Sequence, residues 1–403
     1  MVDVLLLAGL LVAVFVGFNI GGSNTGVAFG PAVGSNTVSK LTAAALMSVF
    51  VLIGGWTFGR EVVKTLGGRI VPSGLFSPEV TIVVLFFIGF ALFLSNIAGV
   101  PASTSMTAVG ALAGLGLASG QLDWAVMGQI VIWWIVAPIA AFWVSGVVGR
   151  YFYPRLVEAF AVTQTDGSLF ALDRSGALPK PVLGPNTTPR EAAGTVLVVG
   201  IACYMAFSAG ASNVANAVGP LVGSNTLTVT QGVLLGAGAI GLGAFTIARR
   251  TMDTVGNDLT DMPLLAALVV AVVSSTLVTV LSALGIPASF VVIATMSIVG
   301  LGWGRATRTT TISDAIAGDT PSASPGALAA DAEDAPTVGG SGGGGTPSAG
   351  DHKPIGEEVP EDIPSAADLF EPATTARVLV LQNVVPAVAT VAAYLVFRFA
   401  PFV

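Results

Sequence analysis

Phe207-Ser208-Ala209-Gly210-Ala211-Ser212-Asn213-Val214-Ala215-Asn216-Ala217-Val218-Gly219-Pro220 is small, amide-bearing and glycine-rich, yet it lies between strongly apolar stretches. A second copy stands 189 residues earlier. There Gly22-Ser23-Asn24 and Ala28-Phe29-Gly30-Pro31-Ala32-Val33-Gly34-Ser35-Asn36-Thr37 answer Ala211-Ser212-Asn213 and Ala217-Val218-Gly219-Pro220-Leu221-Val222-Gly223-Ser224-Asn225-Thr226. The register runs on without a gap, so that Arg60, Thr65 and Gly67 meet Arg249, Thr254 and Gly256. Polar, glycine-broken backbone at membrane depth is tolerated only where it is buried in protein or lines a cavity.

That membrane depth is the relevant one follows from composition. Of 403 residues 53% are hydrophobic and only 10% charged, with a mean hydropathy of +0.85; a soluble domain carries roughly a quarter charged residues. The apolar runs are long and do not alternate, which points to spanning helices rather than a barrel. They fall near 4–18, 41–57, 80–97 and 125–149, then near 193–208, 227–248, 263–284 and 377–399. Met1-Val2-Asp3 lacks the basic flank of a signal peptide, so the first run is expected to remain as a span.

The duplication extends beyond the opening motif. Gly99-Val100-Pro101-Ala102-Ser103-Thr104-Ser105 pairs with Gly285-Ile286-Pro287-Ala288-Ser289-Phe290-Val291 at an offset of 186, and Pro138 and Arg150 answer Pro386 and Arg398 at 248. The jump locates an insertion near 305–372. Between Thr309 and Pro372 there are 12 acidic residues against Lys353 alone, together with Gly339-Gly340-Ser341-Gly342-Gly343-Gly344-Gly345. Such a stretch cannot bury enough apolar surface to fold and is expected to be disordered. The expected organisation is therefore a first membrane repeat over 1–150, a polar linker over 151–190, the start of the second repeat over 191–304, the acidic insertion over 305–372, and the last span over 373–403. The positive-inside rule favours a cytoplasmic linker, which carries five basic residues over 150–190.

The residue types narrow the chemistry. The one cysteine, Cys203, excludes an internal disulfide and a cysteine-ligated cluster, and the one histidine, His352, lies in the insertion. General acid–base catalysis needs titratable side chains. The apolar body offers almost none away from loops, which argues against an enzyme and against a resident cofactor or metal. What it offers is hydroxyls, amides and interrupted helix ends, the parts that hold an anion through N–H and O–H donors and the positive end of a helix dipole. Interrupted segments in matching positions of two halves are the best sequence pointer to a transporter's substrate site.

At this point the motifs resemble those of the inorganic phosphate transporter (PiT) family. Gly210-Ala211-Ser212-Asn213-Val214-Ala215-Asn216-Ala217-Val218-Gly219 follows that family's repeated G-A-N-D-V-A-N-A-F/I-G closely, and Gly21 to Gly30 follows it more loosely. Pro101-Ala102-Ser103-Thr104-Ser105-Met106 follows its P-V-S-T-T-H element, of which Pro287 to Val292 keep the Pro and first Ser. Departures are present: the family's N-D pair reads Ser23-Asn24 and Ser212-Asn213, its second Asn is Asn216 but Val27, and its His is Met106 and Val292. Phe18-Asn19-Ile20-Gly21-Gly22-Ser23 and Phe207-Ser208-Ala209-Gly210 resemble the family's sulfate permease branch. A site without carboxylates suits sulfate, which needs donors only, while protonated phosphate also benefits from an acceptor.

The resemblance implies an all-α integral membrane protein of two inverted repeats, each with a broken first helix and a re-entrant half-helix pair, near 99–118 and 285–303. It implies a multi-pass cell-membrane permease for phosphate, with sulfate as the alternative and an anion channel as the rival, driven by a coupling ion, proton or sodium. The bilayer and a homodimer partner complete the expected associations, and nucleic acid is not among them. Expected substrate ligands are Ser23, Asn24, Ser103, Thr104, Ser105, Ser212, Asn213, Asn216 and Ser289, with Asn24 and Asn213 as ligands for a coupling cation.

Overall fold

The computed structural model describes residues 2–34, 37–97, 103–159, 170–173, 180–183, 189–247, 264–309 and 372–400. Most of the insertion (310–371), residues 98–102 and residues 248–263 lie outside these.

The helices are α1 (Val2–Gly34), α2 (Lys40–Thr57), α3 (Gly59–Lys64), α4 (Pro78–Ile97), α5 (Thr104–Ser119), α6 (Trp124–Val147), α7 (Tyr153–Ala159), α8 (Pro189–Gly223), α9 (Val229–Thr246), α10 (Leu264–Ala283), α11 (Phe290–Ala306) and α12 (Pro372–Phe399). Among the described residues seven are long and apolar enough to cross a bilayer, while α5, α11 and the apolar Asn383–Phe399 part of α12 are shorter. Their starts are written in the sequence as caps. Ser39 accepts from Thr42 N–H, Asp123 from the N–H groups of Ala125 and Val126, and Thr228 forms a capping box with Gln231. Large apolar side chains such as Leu11, Ile132, Trp143 and Val280 face outward, as a lipid-facing bundle requires.

The two halves interlock. α2 packs along α8 and α1 along α9, α1 meets α8, and α2 meets α9. Farther out the exchange recurs, with α5 against α12 and α6 against α11. Small residues permit this closeness: a Cβ on Gly21 would overlap the Ile240 carbonyl, and one on Gly210 the Val51 carbonyl. The end of α5 lies near the loop that leads into α4, where Asp123 N–H bonds to the Ile70 carbonyl at 3.0 Å.

Three features differ from the sequence-based expectation. The first helix of each half is not broken: α1 runs 33 residues and α8 runs 35, straight through Ser23-Asn24 and Ser212-Asn213. In an apolar surround the backbone has no water to bond and satisfies itself by staying helical. The hydroxyls follow suit, Ser23 donating to the Asn19 and Ile20 carbonyls at 3.2 Å and Thr25 to Gly21 at 2.6 Å. Second, the polar linker, outside the all-helical membrane body, carries an antiparallel strand pair, β1 (Phe170–Asp173) and β2 (Lys180–Leu183), with Asp173 opposite Lys180. Third, residues 305–309 finish α11 and its last turn rather than opening the insertion. Fully buried Arg305 lies over the Tyr153 ring at 5.4 Å, and Arg308 donates to the Arg150 carbonyl at 2.6 Å, which ties this end to the α6–α7 corner.

Candidate functional site

Two helices begin inside the bundle, and each starts with a capping serine. Ser103 precedes α5 and accepts from Met106 N–H at 3.2 Å; Ser289 precedes α11 and accepts from Val292 N–H at 3.4 Å. Ser103 and Ser289 are 2% and 6% exposed. A helix start leaves its first N–H groups without intrahelical partners and carries positive potential. Both starts aim at α8, at the level of its Ser212-Asn213-Val214-Ala215-Asn216 segment.

There the side chains form one connected cluster. Thr104 Oγ1 donates to Asn213 Oδ1. Asn216 Nδ2 donates to the same Oδ1 at 3.1 Å and lies within reach of Ser105 Oγ (3.3 Å) and Thr104 Oγ1 (3.4 Å). Ser212 donates to the Ala288 carbonyl at 3.1 Å and sits 3.3 Å from the Ser105 hydroxyl, which makes Ser105 the donor between them. All five side chains are buried. No carboxylate takes part in these bonds, so the cluster is uncharged and rich in O–H and N–H. Asn213 Oδ1 is already shared by two donors, whereas Asn216 Oδ1 is a buried acceptor without a partner. Of the two amide oxygens on this segment, that of Asn216 is the one left without a partner.

Of the nine residues singled out by sequence, Thr104, Ser105, Ser212, Asn213 and Asn216 are bonded together, and Ser103 and Ser289 cap the two helices that feed the cluster. Ser23 and Asn24 make no bond to it. Ser23 turns back on its own helix, and Asn24 Nδ2 is buried without a partner. The repeat explains the difference. Thr104 reaches Asn213, but the position that answers Thr104 in the second half is Phe290, which has no donor or acceptor to offer the counterpart Asn24. Sequence reading missed the Ala288 carbonyl, since a backbone group leaves no trace in residue type, and missed Ser208, which donates to the Ser275 carbonyl at 3.1 Å.

A separate cavity of about 370 Å³ lies between α1 and α4 of the first half and the end of α9 of the second, lined by Asn19, Phe93, Asn96, Ile97, Thr246 and Ile247. Asn96 Nδ2 donates there to the Asn19 carbonyl and Oδ1, at 3.2 and 3.1 Å. Among the described residues no cluster of His, Cys, Asp or Glu is suited to a metal ion.

Comparison with known proteins extends the geometry. The phosphate transporter family matches residues 20–320. The sulfate permease CysP of Bacillus subtilis (strain 168) is 31% identical over 74% of this chain and 77% of its own length. A putative phosphate permease of Helicobacter pylori is 24% identical over 75% of this chain and 69% of its own, and one of Pyrococcus furiosus is 25% identical over 75% and 88%. Among solved structures, one titled "The sodium-dependent phosphate transporter" shares the fold, with a TM-score of 0.64 at 17% identity, covering 98% of this chain and all of that one.

Proposed function

Because the chain belongs to the phosphate transporter family, we propose that it is a secondary-active permease of the cell membrane that carries a tetrahedral inorganic oxyanion, phosphate by family default and sulfate as the alternative. The observation that carries this reading is the buried, uncharged cluster of Thr104, Ser105, Ser212, Asn213 and Asn216 at the starts of α5 and α11. An oxyanion stripped of water needs several donors at once, and two helix starts add backbone N–H groups to the hydroxyls. Sulfate has a specific point in its favour: it carries no proton to be accepted, and a cluster without a carboxylate supplies donors.

The two halves are read as inverted repeats with α4–α5 and α10–α11 as re-entrant pairs. Support comes from the reciprocal packing of α1 on α9 and α2 on α8, of α5 on α12 and α11 on α6. It comes also from the direction of the short helices: α5 ends beside Ile70, while α11 runs alongside α6 away from that end, with Ser297 2.5 Å from Ser145. Inversion lets one site face either side of the membrane in turn. A coupling cation, if sodium, would take the Asn216 oxygen.

Uptake into proteoliposomes tests the reading. Radiolabelled sulfate or phosphate should accumulate only with an ion gradient, and flux at channel rates without a gradient would overturn it. Competition between the two anions across about two pH units around neutrality then identifies the substrate. A sulfate carrier ignores the titration of phosphate, whereas a phosphate carrier tracks one of its protonation states.

A further inference from the structure

Beyond the cluster, the face that α8 turns toward α10 is lined with hydroxyls. Tyr204 donates to Thr276 Oγ1 at 3.2 Å, Ser208 to the Ser275 carbonyl at 3.1 Å, and Ser212 to the Ala288 carbonyl at 3.1 Å. Those α8 positions are four residues apart and so share one face. On α10 the opposing positions are Ser275, Thr279 and Ser282, again one face by helical spacing, with Ser274 beside them. Ser274, Ser275 and Ser282 are 0% exposed, and none of the four hydroxyls has a hydrogen-bond partner. Other helical hydroxyls in this bundle turn back onto a carbonyl of their own helix, as Ser48, Thr107, Ser119 and Thr390 do. A buried hydroxyl left unbonded forfeits its hydration without compensation. Four together on one helix form a surface shaped for something that arrives with acceptors.

The repeat offsets supply an independent observation. Ser208, Thr279 and Ser282 correspond to Asn19, Phe93 and Asn96, and those three are the α1 and α4 side of the 370 Å³ cavity that the end of α9 completes. The same α1–α4 and α8–α10 place is thus an open cavity with two amides among apolar side chains in one half, and a buried seam of hydroxyls in the other.

We propose that the α8–α10 seam is a second oxyanion station on the transport path, the counterpart of the Asn19–Asn96 cavity. The anion occupies it while passing between the Ser105–Ser212–Asn216 cluster and the end of the bundle where α8 begins. The proposal rests on the permease reading. Hydroxyls alone, without a cation, hold an oxyanion weakly, and a station on a path has to release what it binds.

The test is the combined variant Ser275→Ala, Thr279→Val and Ser282→Ala, reconstituted in proteoliposomes. Because these hydroxyls make no bonds, removing them should leave the melting temperature equal or higher. Equilibrium binding of radiolabelled sulfate and phosphate should stay within about twofold of the parent, and net uptake should fall tenfold or more. Thr279→Ser in the otherwise unchanged chain, which keeps the hydroxyl and removes only the methyl, should leave uptake near the parent level. The proposal is overturned if the inserted triple variant takes up anion within twofold of the parent. It is equally overturned if binding falls in step with uptake, which would make the seam part of the central site, or if the melting temperature falls, which would make it packing. A parent chain that neither binds nor accumulates either anion removes the permease reading and this proposal together, an outcome visible before any variant is made.

Discussion

Thr104 and Asn213 are expected to act on the anion as one unit, and a double-mutant cycle measures this. Thr104→Val deletes a donor from the start of α5 at nearly constant volume. Asn213→Leu deletes the oxygen that Thr104 and Asn216 both use. A lost hydrogen bond to a charged partner costs about 1.5–3 kcal/mol, or about ten- to a hundredfold in affinity. Each single change should weaken sulfate or phosphate binding by that factor. Asn213→Leu also strands the Thr104 hydroxyl, 6% exposed, and should lower stability by about 1–3 kcal/mol. Since the two side chains position each other, the double variant's penalty should fall about tenfold short of the product of the two single penalties, a coupling of about 1.4 kcal/mol. Titration calorimetry on detergent-purified, monodisperse protein gives all four affinities. The cluster is refuted as the anion site if both single variants bind like the parent, and its unity is refuted if the two penalties multiply in full.

Gly210→Val should fail to pack, because its side chain would occupy the space of the Val51 carbonyl; a loss of about 1–3 kcal/mol or more would appear as a lowered melting temperature, and an unchanged one would contradict the close α2–α8 crossing. Ser145→Ala removes the 2.5 Å contact with Ser297 far from the cluster and should cost only about 0.6 to 1.7 kcal/mol, with anion affinity unchanged in the same titration. Deleting residues 310–371, the acidic part of the chain, should leave uptake kinetics within about twofold of the parent; abolished uptake in inserted protein would assign that segment a direct role.

Much of this architecture was legible because a gene duplication writes each constraint twice. The offset of 189 paired Gly21 with Gly210 before any contact was visible, and both proved to be close-crossing points on the opposite half. Ser103 and Ser289 were singled out by sequence as candidate ligands, and the structure adds that each caps a helix start. The continuity of α1 and α8 was not legible. Gly, Ser and Asn break helices in water, where the backbone has an alternative partner, and residue type alone does not say that water is absent. Nor does a motif reveal who faces it: Ser23-Asn24 and Ser212-Asn213 look alike, and only the opposing Phe290 and Thr104 distinguish them. The α10 hydroxyls escaped notice because four small polar residues scattered in an apolar run read simply as span.

The exchange of α5 onto α12 has a consequence for biosynthesis. The groove of α5 that Gly110 and Gly114 open is filled by Pro386, Thr390, Ala393 and Tyr394, and α12 begins at Pro372, about 250 residues after α5 ends at Ser119. At a synthesis rate of about 5–20 residues per second, the earlier helix waits about 12–50 seconds for its neighbour. During that interval a short, small-residue helix whose capping Ser103 and first-turn hydroxyls face inward must be held in the membrane without its mate. The nascent first half therefore depends on the insertion machinery to shelter α5, and a chain truncated anywhere before Pro372 leaves that groove open to lipid or to a second copy of itself.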